Sequence, residues 1–346
     1  MAIAGYGKTQ IRYDMFDMER DAEQARRFAR CENIYHKGQD LAWDGKDILP
    51  MLLREHGGIN IPDDKRKAIS RIFAIIMWGE LAAWKISAQL ADGLVPLEAK
   101  MAATSQAFDE ARHFYVMHDY LKELGYVPKR MDRPPQALLD LVLDTPNLAY
   151  KLLGMQLMIE TMALTIFQTV RELKAEPVIA ELMKYYERDE ARHVGLGMQY
   201  LPEMIRGMSK AEVSAMMVFQ ARILFWAMWE TKMLEKDFET LGIEPRKVME
   251  LGRSKQVMAM KAAFKVLGID LDEERSPAIM ALNIANEFLF PTEETKDDWV
   301  AMFQAALAAA TERVPADPAA LDIHSSHQIR LANGGTAPAE RDLSNT

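Results

Sequence analysis

A five-residue segment, Asp-Glu-Ala-Arg-His, occurs at residues 109–113 and again at residues 189–193. In each copy a glutamate lies three residues before a histidine. In a helix this spacing places the carboxylate and the imidazole on one face, where both can reach the same ion. A single Glu-x-x-His match is a weak signal because it arises by chance, whereas two copies of one pentapeptide are not expected by chance. The repeat therefore predicts a metal site.

Two further glutamates stand at matching distances from the repeat. Glu80 lies 30 residues before Glu110, and Glu160 lies 30 residues before Glu190. The midpoint of each interval lies beside glycine or proline residues that favour a turn. Each pair therefore belongs to two antiparallel helices, at equal distances of roughly 20 Å from the turn that joins them. The four carboxylates are predicted to meet in one layer of a four-helix bundle.

The environment of these acids favours metal binding. Glu80 and Glu160 each interrupt an apolar stripe of a predicted helix. A buried carboxylate without a partner is strongly disfavoured, and four of them in one layer would repel one another. Two divalent cations would balance the four negative charges. A mixture of glutamate and histidine ligands suits iron or manganese.

This constellation resembles the ferritin-like di-iron carboxylate superfamily, in which two helices each supply one glutamate and two others supply Glu-x-x-His. The resemblance covers about residues 62–205. It implies two Fe ions, or a Mn/Fe pair, with O2 as co-substrate. It also implies that the metal ligands, which form the catalytic centre, are Glu80, Glu110, His113, Glu160, Glu190 and His193. Among these, Glu110 and Glu160 are candidates for bridging or shifting carboxylates, and the sequence leaves open which.

The acid before each motif glutamate extends the resemblance. The hydroxylase subunits of bacterial multicomponent monooxygenases carry Asp-Glu-x-Arg-His on both helices. In that family the Asp accepts a hydrogen bond from a ligating histidine. Asp109 and Asp189 match that Asp, and Arg112 and Arg192 match the partner arginine. A ligating imidazole needs an acceptor for its other N–H group, which gives the match a physical reason. The alternative is that the two aspartates face solvent.

The small subunit of ribonucleotide reductase is also similar in motif. That family stores a radical on a tyrosine four residues after the first motif histidine. The corresponding residue here is Met117, so a stored tyrosyl radical is not expected.

These resemblances imply an O2-activating di-iron or Mn/Fe oxidoreductase of the monooxygenase or oxidase/desaturase type. Its substrate is expected to be a hydrophobic organic molecule in an apolar pocket. The predicted pocket residues are Met77, Phe108, Phe114, Leu164 and Phe167. An alternative is a ferroxidase or iron-handling ferritin-like protein, although the helices predicted after residue 209 exceed what a storage cage needs. A non-catalytic helical scaffold is the third alternative.

Composition limits the partners. The chain has 346 residues, a net charge of −9 and one cysteine, Cys31. One thiol builds neither an internal disulfide nor a four-cysteine cluster, and the chain has no Gly-x-Gly-x-x-Gly loop for a nucleotide. Electrons are therefore expected from a separate ferredoxin, flavoprotein or reductase. The acidic balance argues against a nucleic-acid partner.

The longest apolar stretch, Met216–Trp229, is interrupted by Gln220 and Arg222, and no apolar run suited to a signal peptide is visible. We therefore expect no membrane span and a cytoplasmic location. A homodimer is also expected, with the helices after residue 209 as candidates for its interface. Glu230 lies in another apolar run, Phe225–Met233, and is expected to pair with Arg222 or to lie in an interface. No catalytic role is assigned to it.

Helix-favouring residues dominate, so the predicted class is all-α, a ferritin-like four-helix bundle with additional N- and C-terminal helices. The predicted parts are an N-terminal helical extension at 1–61, the di-metal bundle at 62–205, additional helices packing on it at 206–313 and a flexible tail at 314–346. Bundle helices are predicted near 62–91, 96–124, 146–174 and 177–200. Further helices are predicted near 12–31, 209–242, 245–267, 275–288 and 293–312.

Overall fold

The computed structural model describes residues 17–264 and 277–310, and within these ranges every regular element is a helix. The predicted all-α class is confirmed. In chain order the helices are α1 (Met18–Arg27), α2 (Ala29–Asp40), α3 (Gly45–Glu55), α4 (Asp63–Gly93), α5 (Leu97–Glu123), α6 (Arg133–Asp144), α7 (Leu148–Leu173), α8 (Pro177–Ile205), α9 (Lys210–Met233), α10 (Glu235–Thr240), α11 (Pro245–Phe264), α12 (Pro277–Leu289) and α13 (Trp299–Ala309).

Helices α4, α5, α7 and α8 form the bundle that the glutamate spacing predicts. Helix α4 packs along α5, α7 packs along α8, and α5 meets α8 across the bundle. The turn between α7 and α8 is fixed by local chemistry. The side chain of Glu176 accepts hydrogen bonds from the N–H groups of Val178 and Ile179, which caps the start of α8. Tyr120 on α5 donates its hydroxyl to the same carboxylate and links the two hairpins.

The remaining helices cover the bundle. Helix α2 lies against α5 and α8, and α3 contacts the same pair. On another side, α9 packs against α6 and α12, while α11 packs against α7 and α8. The additional helices therefore enclose the bundle and leave space beside it, which is described below.

Several boundaries differ from the predictions. Helix α6 was not predicted, because Pro134 and Pro135 suggest a connecting loop, yet prolines fit the first turn of a helix. Helix α3 is not among the predicted helices either. The helix predicted at 209–242 ends at Met233, and α10 follows as a separate short helix after Leu234. No glycine or proline marks this break, so the sequence offered no stop signal there.

Some predictions concern residues outside the described ranges. The predicted tail at 314–346 lies wholly outside them, as do residues 12–16 of the predicted first helix and residues 265–267 of the helix predicted at 245–267. The described part of 12–31 contains α1 and the start of α2, with Phe28 between them.

Two helices are long and apolar enough to cross a membrane, by length and composition alone. They are α7 and α9. Of the most apolar 18 residues of each helix, 67% are buried within the protein in α7 and 28% in α9. Helix α7 carries Glu160 in the bundle, and core helices of soluble proteins commonly pass this test. A helix as exposed as α9 has a largely apolar outer surface.

A π-helical segment, Leu153–Ile159, lies within α7 directly before Glu160. It adds a residue to the helical turn and so changes the direction in which the following side chains point. Helix α8 approaches it closely at Gly197, where an added Cβ atom would stand 2.7 Å from Leu157 Cδ2 and 2.8 Å from Gln156 Cβ. The glycine is therefore required for the contact between these helices.

We expect Gly197→Ala to lower the free energy of unfolding by about 1–3 kcal/mol, because the new methyl group displaces the π-helical segment. Gly195→Ala on the same helix is the matched control, since its nearest neighbour, Ile34 Cδ1, would be 3.6 Å away. The control should raise stability by about 0.5–1 kcal/mol through helix propensity. Urea denaturation measures both, and equal effects at the two positions would contradict the close approach.

Candidate metal centre

The six predicted ligands lie together in the centre of the bundle, and all are buried. Their side-chain donor atoms form two groups, each with atoms within 4.8 Å of one another. One group is Glu80, Glu110, His113 and Glu190, and the other is Glu110, Glu160, Glu190 and His193. Glu110 and Glu190 belong to both groups. Of the two residues named as candidates for bridging or shifting carboxylates, Glu110 lies in both groups and Glu160 in one.

Both imidazoles point one nitrogen into this cluster. His113 Nδ1 lies 3.0 Å from Glu190 Oε1 and 3.5 Å from Glu110 Oε2. His193 Nδ1 lies 2.7 Å from Glu190 Oε2 and 3.0 Å from Glu110 Oε1. The spacing of three residues within each helix therefore brings carboxylate and imidazole together as the motif predicts.

The second nitrogen of each imidazole faces an aspartate from the opposite copy of the motif. His113 Nε2 is 3.2 Å from Asp189 Oδ2, and His193 Nε2 is 3.4 Å from Asp109 Oδ2. The two aspartates are 1% exposed or less, which excludes the alternative that they face solvent. Such an acceptor fixes the ring orientation and leaves Nδ1 free to bind a metal.

Two buried arginines complete this arrangement. Arg112 donates to Asp109 Oδ1 at 2.5 Å and to Asp189 Oδ2 at 2.7 Å. Arg192 donates to Asp109 Oδ2 and Asp189 Oδ1, both at 2.8 Å. Each arginine therefore contacts both aspartates, so the two motif copies are connected by four charge-assisted hydrogen bonds. These bonds compensate the cost of burying two pairs of charges.

Sequence reasoning missed two aromatic side chains at this site. Trp43, between α2 and α3, donates its indole N–H to Asp189 Oδ2 at 2.7 Å. Its ring also lies 4.7 Å from the Arg112 guanidinium carbon. Tyr186 stacks on His113 with ring centroids 4.2 Å apart and donates its hydroxyl to the backbone carbonyl of His113. Trp43 lies far from the motif in sequence, so only packing reveals its contact.

Two buried glutamines were missed as well. Gln106 Nε2 donates to Glu110 Oε1 at 3.0 Å and to Glu160 Oε1 at 2.9 Å. Gln156, in the π-helical segment, donates to Gln106 Oε1 at 3.0 Å. Gln106 lies four residues before Glu110, the position that Tyr186 occupies relative to Glu190. The sequence held one signal for these residues: the two copies of the motif differ in the residue one helical turn before the glutamate, Gln106 in one and Tyr186 in the other.

The charges of the cluster fit two divalent cations. Burial and the neighbouring Glu190 carboxylate raise the pKa of both Glu80 and Glu160 well above the usual value. Burial opposes ionisation of Glu110 too, but the imidazole of His193 outweighs it and holds the pKa of Glu110 well below its usual range. Burial disfavours a charged His113, yet its hydrogen bond with Asp189 raises the pKa of this imidazole well above its usual value. Positive charge is therefore favoured at the centre of the cluster.

Unsatisfied atoms point to the same conclusion. Glu110 Oε2, His113 Nδ1 and Glu190 Oε1 are buried and form no hydrogen bond, because the 3.0 Å contact between the last two lacks hydrogen-bond geometry. Buried polar atoms are rarely left without partners in native proteins. A metal ion bound to these atoms would satisfy all three, and the mixed carboxylate and imidazole set suits iron or manganese.

A cavity of about 140 Å³ lies beside the cluster, between α4 and α7 of the bundle and the covering helices α9 and α11. Glu80 and Glu160, one ligand from each group, form part of its wall, and most of the remaining lining is apolar. The residues of α4 that line it run from Ile75 to Ala83, about 12 Å along the helix. The cavity therefore reaches the candidate metal centre.

None of the five predicted pocket residues lines this cavity. Met77 and Phe167 are buried in the core, Leu164 is also buried, and Phe114 packs at the edge of the core. Phe108 is 65% exposed and lies beside Arg112, so it faces outward. Helical periodicity around the glutamates identified apolar neighbours correctly, but it did not distinguish the faces in contact with other helices from the face that borders the cavity.

Comparison with known proteins gives a fold relationship. No family model matches the sequence, and no curated protein matches it. One similar solved structure is a tyrosine-to-phenylalanine variant of an R2-like ligand-binding oxidase with aerobically reconstituted Mn/Fe cofactor. It superimposes with a TM-score of 0.56 at 14% sequence identity, and the match covers 67% of this chain and 92% of that chain. The chain has the fold of R2-like ligand-binding oxidases.

Two further structures of that oxidase agree. The same variant with anaerobically reconstituted Mn/Fe cofactor has a TM-score of 0.53 at 15% identity, covering 67% of this chain and 93% of that chain. A glycine-to-leucine variant with aerobically reconstituted Fe/Fe cofactor has a TM-score of 0.51 at 14% identity, covering 68% and 92%. At this identity the comparison establishes the ferritin-like architecture, and activity is argued from the site.

Asp189→Asn is expected to lower the free energy of unfolding by about 2–4 kcal/mol, because it weakens contacts with both arginines, His113 and Trp43. Asp109→Asn should cost less, since Asp109 has no contact with Trp43. Metal affinity should fall about 10–100-fold in each variant. Denaturation and metal titration measure these effects.

Asp119→Asn serves as the control, because Asp119 is exposed on α5. Equal stability of the wild-type protein and Asp189→Asn would contradict the structural role of this hydrogen-bond network.

Proposed function

We propose that this protein is an O2-activating oxidoreductase with a dinuclear Fe/Fe or Mn/Fe centre that acts on a small hydrophobic molecule. One observation carries the proposal: the apolar cavity shares Glu80 and Glu160 with the two groups of candidate ligands. A substrate in this cavity would lie directly beside the metals. The names of the structurally similar oxidases, with Mn/Fe and Fe/Fe cofactors, support the choice of metals.

The six ligand residues would hold the two ions, with Glu110 and Glu190 contributing to both positions. When bound, such a pair supplies the redox chemistry that reduces O2 beside the substrate. Asp109 and Asp189 would keep each imidazole oriented through its Nε2–H group. The apolar cavity wall would exclude water and place the substrate against the ligands. Both reaction types, monooxygenation and oxidation or desaturation, remain part of the proposal.

We also propose that turnover draws electrons from a separate ferredoxin, flavoprotein or reductase, because the single cysteine cannot hold a cluster. A cytoplasmic location without a membrane span fits an enzyme supplied by such partners. No nucleic-acid partner is proposed, given the net charge of −9.

Glu110→Ala and His193→Ala are each expected to abolish binding of two metal ions per chain, measured by elemental analysis after loading with Fe(II) or with Mn(II) and Fe(II). The reason is that each residue supplies a donor to one or both groups. His118→Ala is the matched control, because His118 lies on α5 but only contacts Asp119 near the surface. Two metals in both site variants would refute the assignment.

Oxygen consumption separates the proposed oxygenase from an iron-handling ferroxidase. The Fe(II) protein with a reductant and a small apolar substrate should consume O2 over many cycles and give a hydroxylated or desaturated product. Uptake that stops after one cycle and leaves mineralised iron would instead support the ferroxidase. Mass spectrometry of the product and an oxygen electrode distinguish the two outcomes.

We further propose a homodimer formed through α9. Val218, Phe225, Trp229 and Met233 lie at helical spacing on this helix, and each is between 45% and 58% exposed. Such a stripe is unusual on a monomer surface and typical of helix–helix contacts.

Sedimentation velocity should show a dimer that Trp229→Asp converts to a monomer, because the charge would be buried in the contact. Trp84→Asp, which changes an exposed tryptophan on α4, is the control and should remain dimeric. A monomeric wild-type protein at micromolar concentration would contradict the proposal.

A further inference from the structure

Glu230, on α9, lines the cavity and has no role in the metal cluster. The sequence suggested a pair with Arg222 or an interface. Glu230 is partly exposed, and within the described ranges no hydrogen bond or ion pair joins its carboxyl group to Arg222 or to another side chain. A carboxyl group without a protein partner in a mostly apolar cavity wall is a group to which a ligand can bind.

The surroundings of Glu230 are acidic. Burial, and then repulsion by Asp132, raise the pKa of Glu230 to about 8. Asp132 lies 3.6 Å from Arg71, and the same guanidinium is 2.5 Å from Asp237. Arg71 is thus shared between two carboxylates, those of Asp132 and Asp237. Arg253 also lines the cavity but has an interaction of its own. A cation placed at Glu230 would be attracted by its carboxylate and by Asp132.

We infer that the cavity binds a small apolar amine whose ammonium group pairs with the Glu230 carboxylate. The inference rests on the proposed function, because it identifies the class of substrate that the candidate metal centre would oxidise. Binding proceeds as R–NH3⁺ plus Glu230–COOH giving the ion pair plus H⁺, so that one proton leaves to solvent when Glu230 starts neutral. No bond of the amine changes in this step.

Other polar groups fit less well. An alcohol would gain only a neutral hydrogen bond, which is weaker than a charge-assisted one. A carboxylate ligand would face Glu230 and Asp132, which repel it once ionised. The volume of about 140 Å³ is close to that of an apolar cavity that accepts benzene, about 150 Å³, so the ligand has a small hydrocarbon part.

Glu230 shares the cavity with both candidate ligands that border it. Glu80 and Glu160 line the same space. An amine paired with Glu230 would therefore place its hydrocarbon part in the cavity beside the candidate metal centre.

Calorimetric titration of the metal-free, full-length protein with hexylamine, 1-hexanol and hexanoate tests the inference. Hexylamine should bind at least 10-fold more tightly than the other two at pH 9. Its affinity should increase about 10-fold from pH 7 to pH 9, because a group with a pKa of about 8 is about one-tenth ionised at pH 7 and about nine-tenths at pH 9. At pH 7, the heat of binding measured in buffers of different ionisation enthalpy should give nearly one proton released per amine bound.

Three variants isolate the contribution of Glu230. Glu230→Gln should lose the preference for hexylamine and its pH dependence while still binding 1-hexanol. Glu239→Gln removes an exposed charge from α10 and should bind like the wild-type protein. Gly252→Leu should weaken all three ligands, because Gly252 lines the cavity and its added Cβ would have only Thr165 Oγ1 nearby, at 3.7 Å.

The Glu230→Gln comparison also separates other titrating groups. Asp132 is the charged group that acts on Glu230, and Arg253, Glu80 and Glu160 line the same cavity. All four are unchanged in the variant. Burial lowers the pKa of Lys255 on α11 to about 8, but its charge partners are acids on α7 and α8, outside the cavity. A pH dependence that persists in Glu230→Gln would assign it to such a group and overturn the inference.

The two proposals fail in different ways. Equal affinity for hexylamine and 1-hexanol in a protein that still binds two metals and consumes O2 would overturn the amine inference alone. A protein that binds hexylamine through Glu230 but takes up no metal would overturn the proposed function, and the cavity would then be a binding site without oxidative chemistry.

Discussion

The structure depends on burying four carboxylates and two imidazoles in one layer of a helical bundle. Water cannot solvate these charges, so the protein must supply the compensation. Two divalent cations would provide it inside the layer. Immediately outside, Asp109 and Asp189 with two arginines form a closed network that fixes the imidazoles. The length of the bundle helices and the equal turns follow from the need to bring these groups to one height.

The two halves of this layer are similar but unequal. The hairpins α4–α5 and α7–α8 repeat one glutamate and the pentapeptide with an offset of 80 positions. One turn before the motif, however, the first copy has Gln106, which donates to two carboxylates, and the second has Tyr186, which stacks on an imidazole. The two groups of candidate ligands therefore have different neighbours, a hydrogen-bond donor in one and a stacked ring in the other.

The sequence predicted the ligands because their information is local: a repeated pentapeptide and a helical spacing fix which side chains meet. The cavity was not predicted, because it lies where α9 and α11 cover α4 and α7, and such packing depends on residues far apart in the chain. Trp43 was missed for the same reason. The π-helical segment was missed because its extra residue per turn interrupts the regular periodicity on which helix prediction relies.

The covering helices allow the candidate metal ligands and the opposite wall of the cavity to come from different parts of the chain. The candidate ligands all come from α4, α5, α7 and α8, whereas Glu230 and much of the opposite cavity wall come from helices after residue 209. Substitutions on α9 and α11 can therefore change the shape and charge of the cavity without altering the ligand set. A metal site built from local motifs and a cavity built from distant packing can change independently, which is why fold and ligand pattern alone do not identify a substrate.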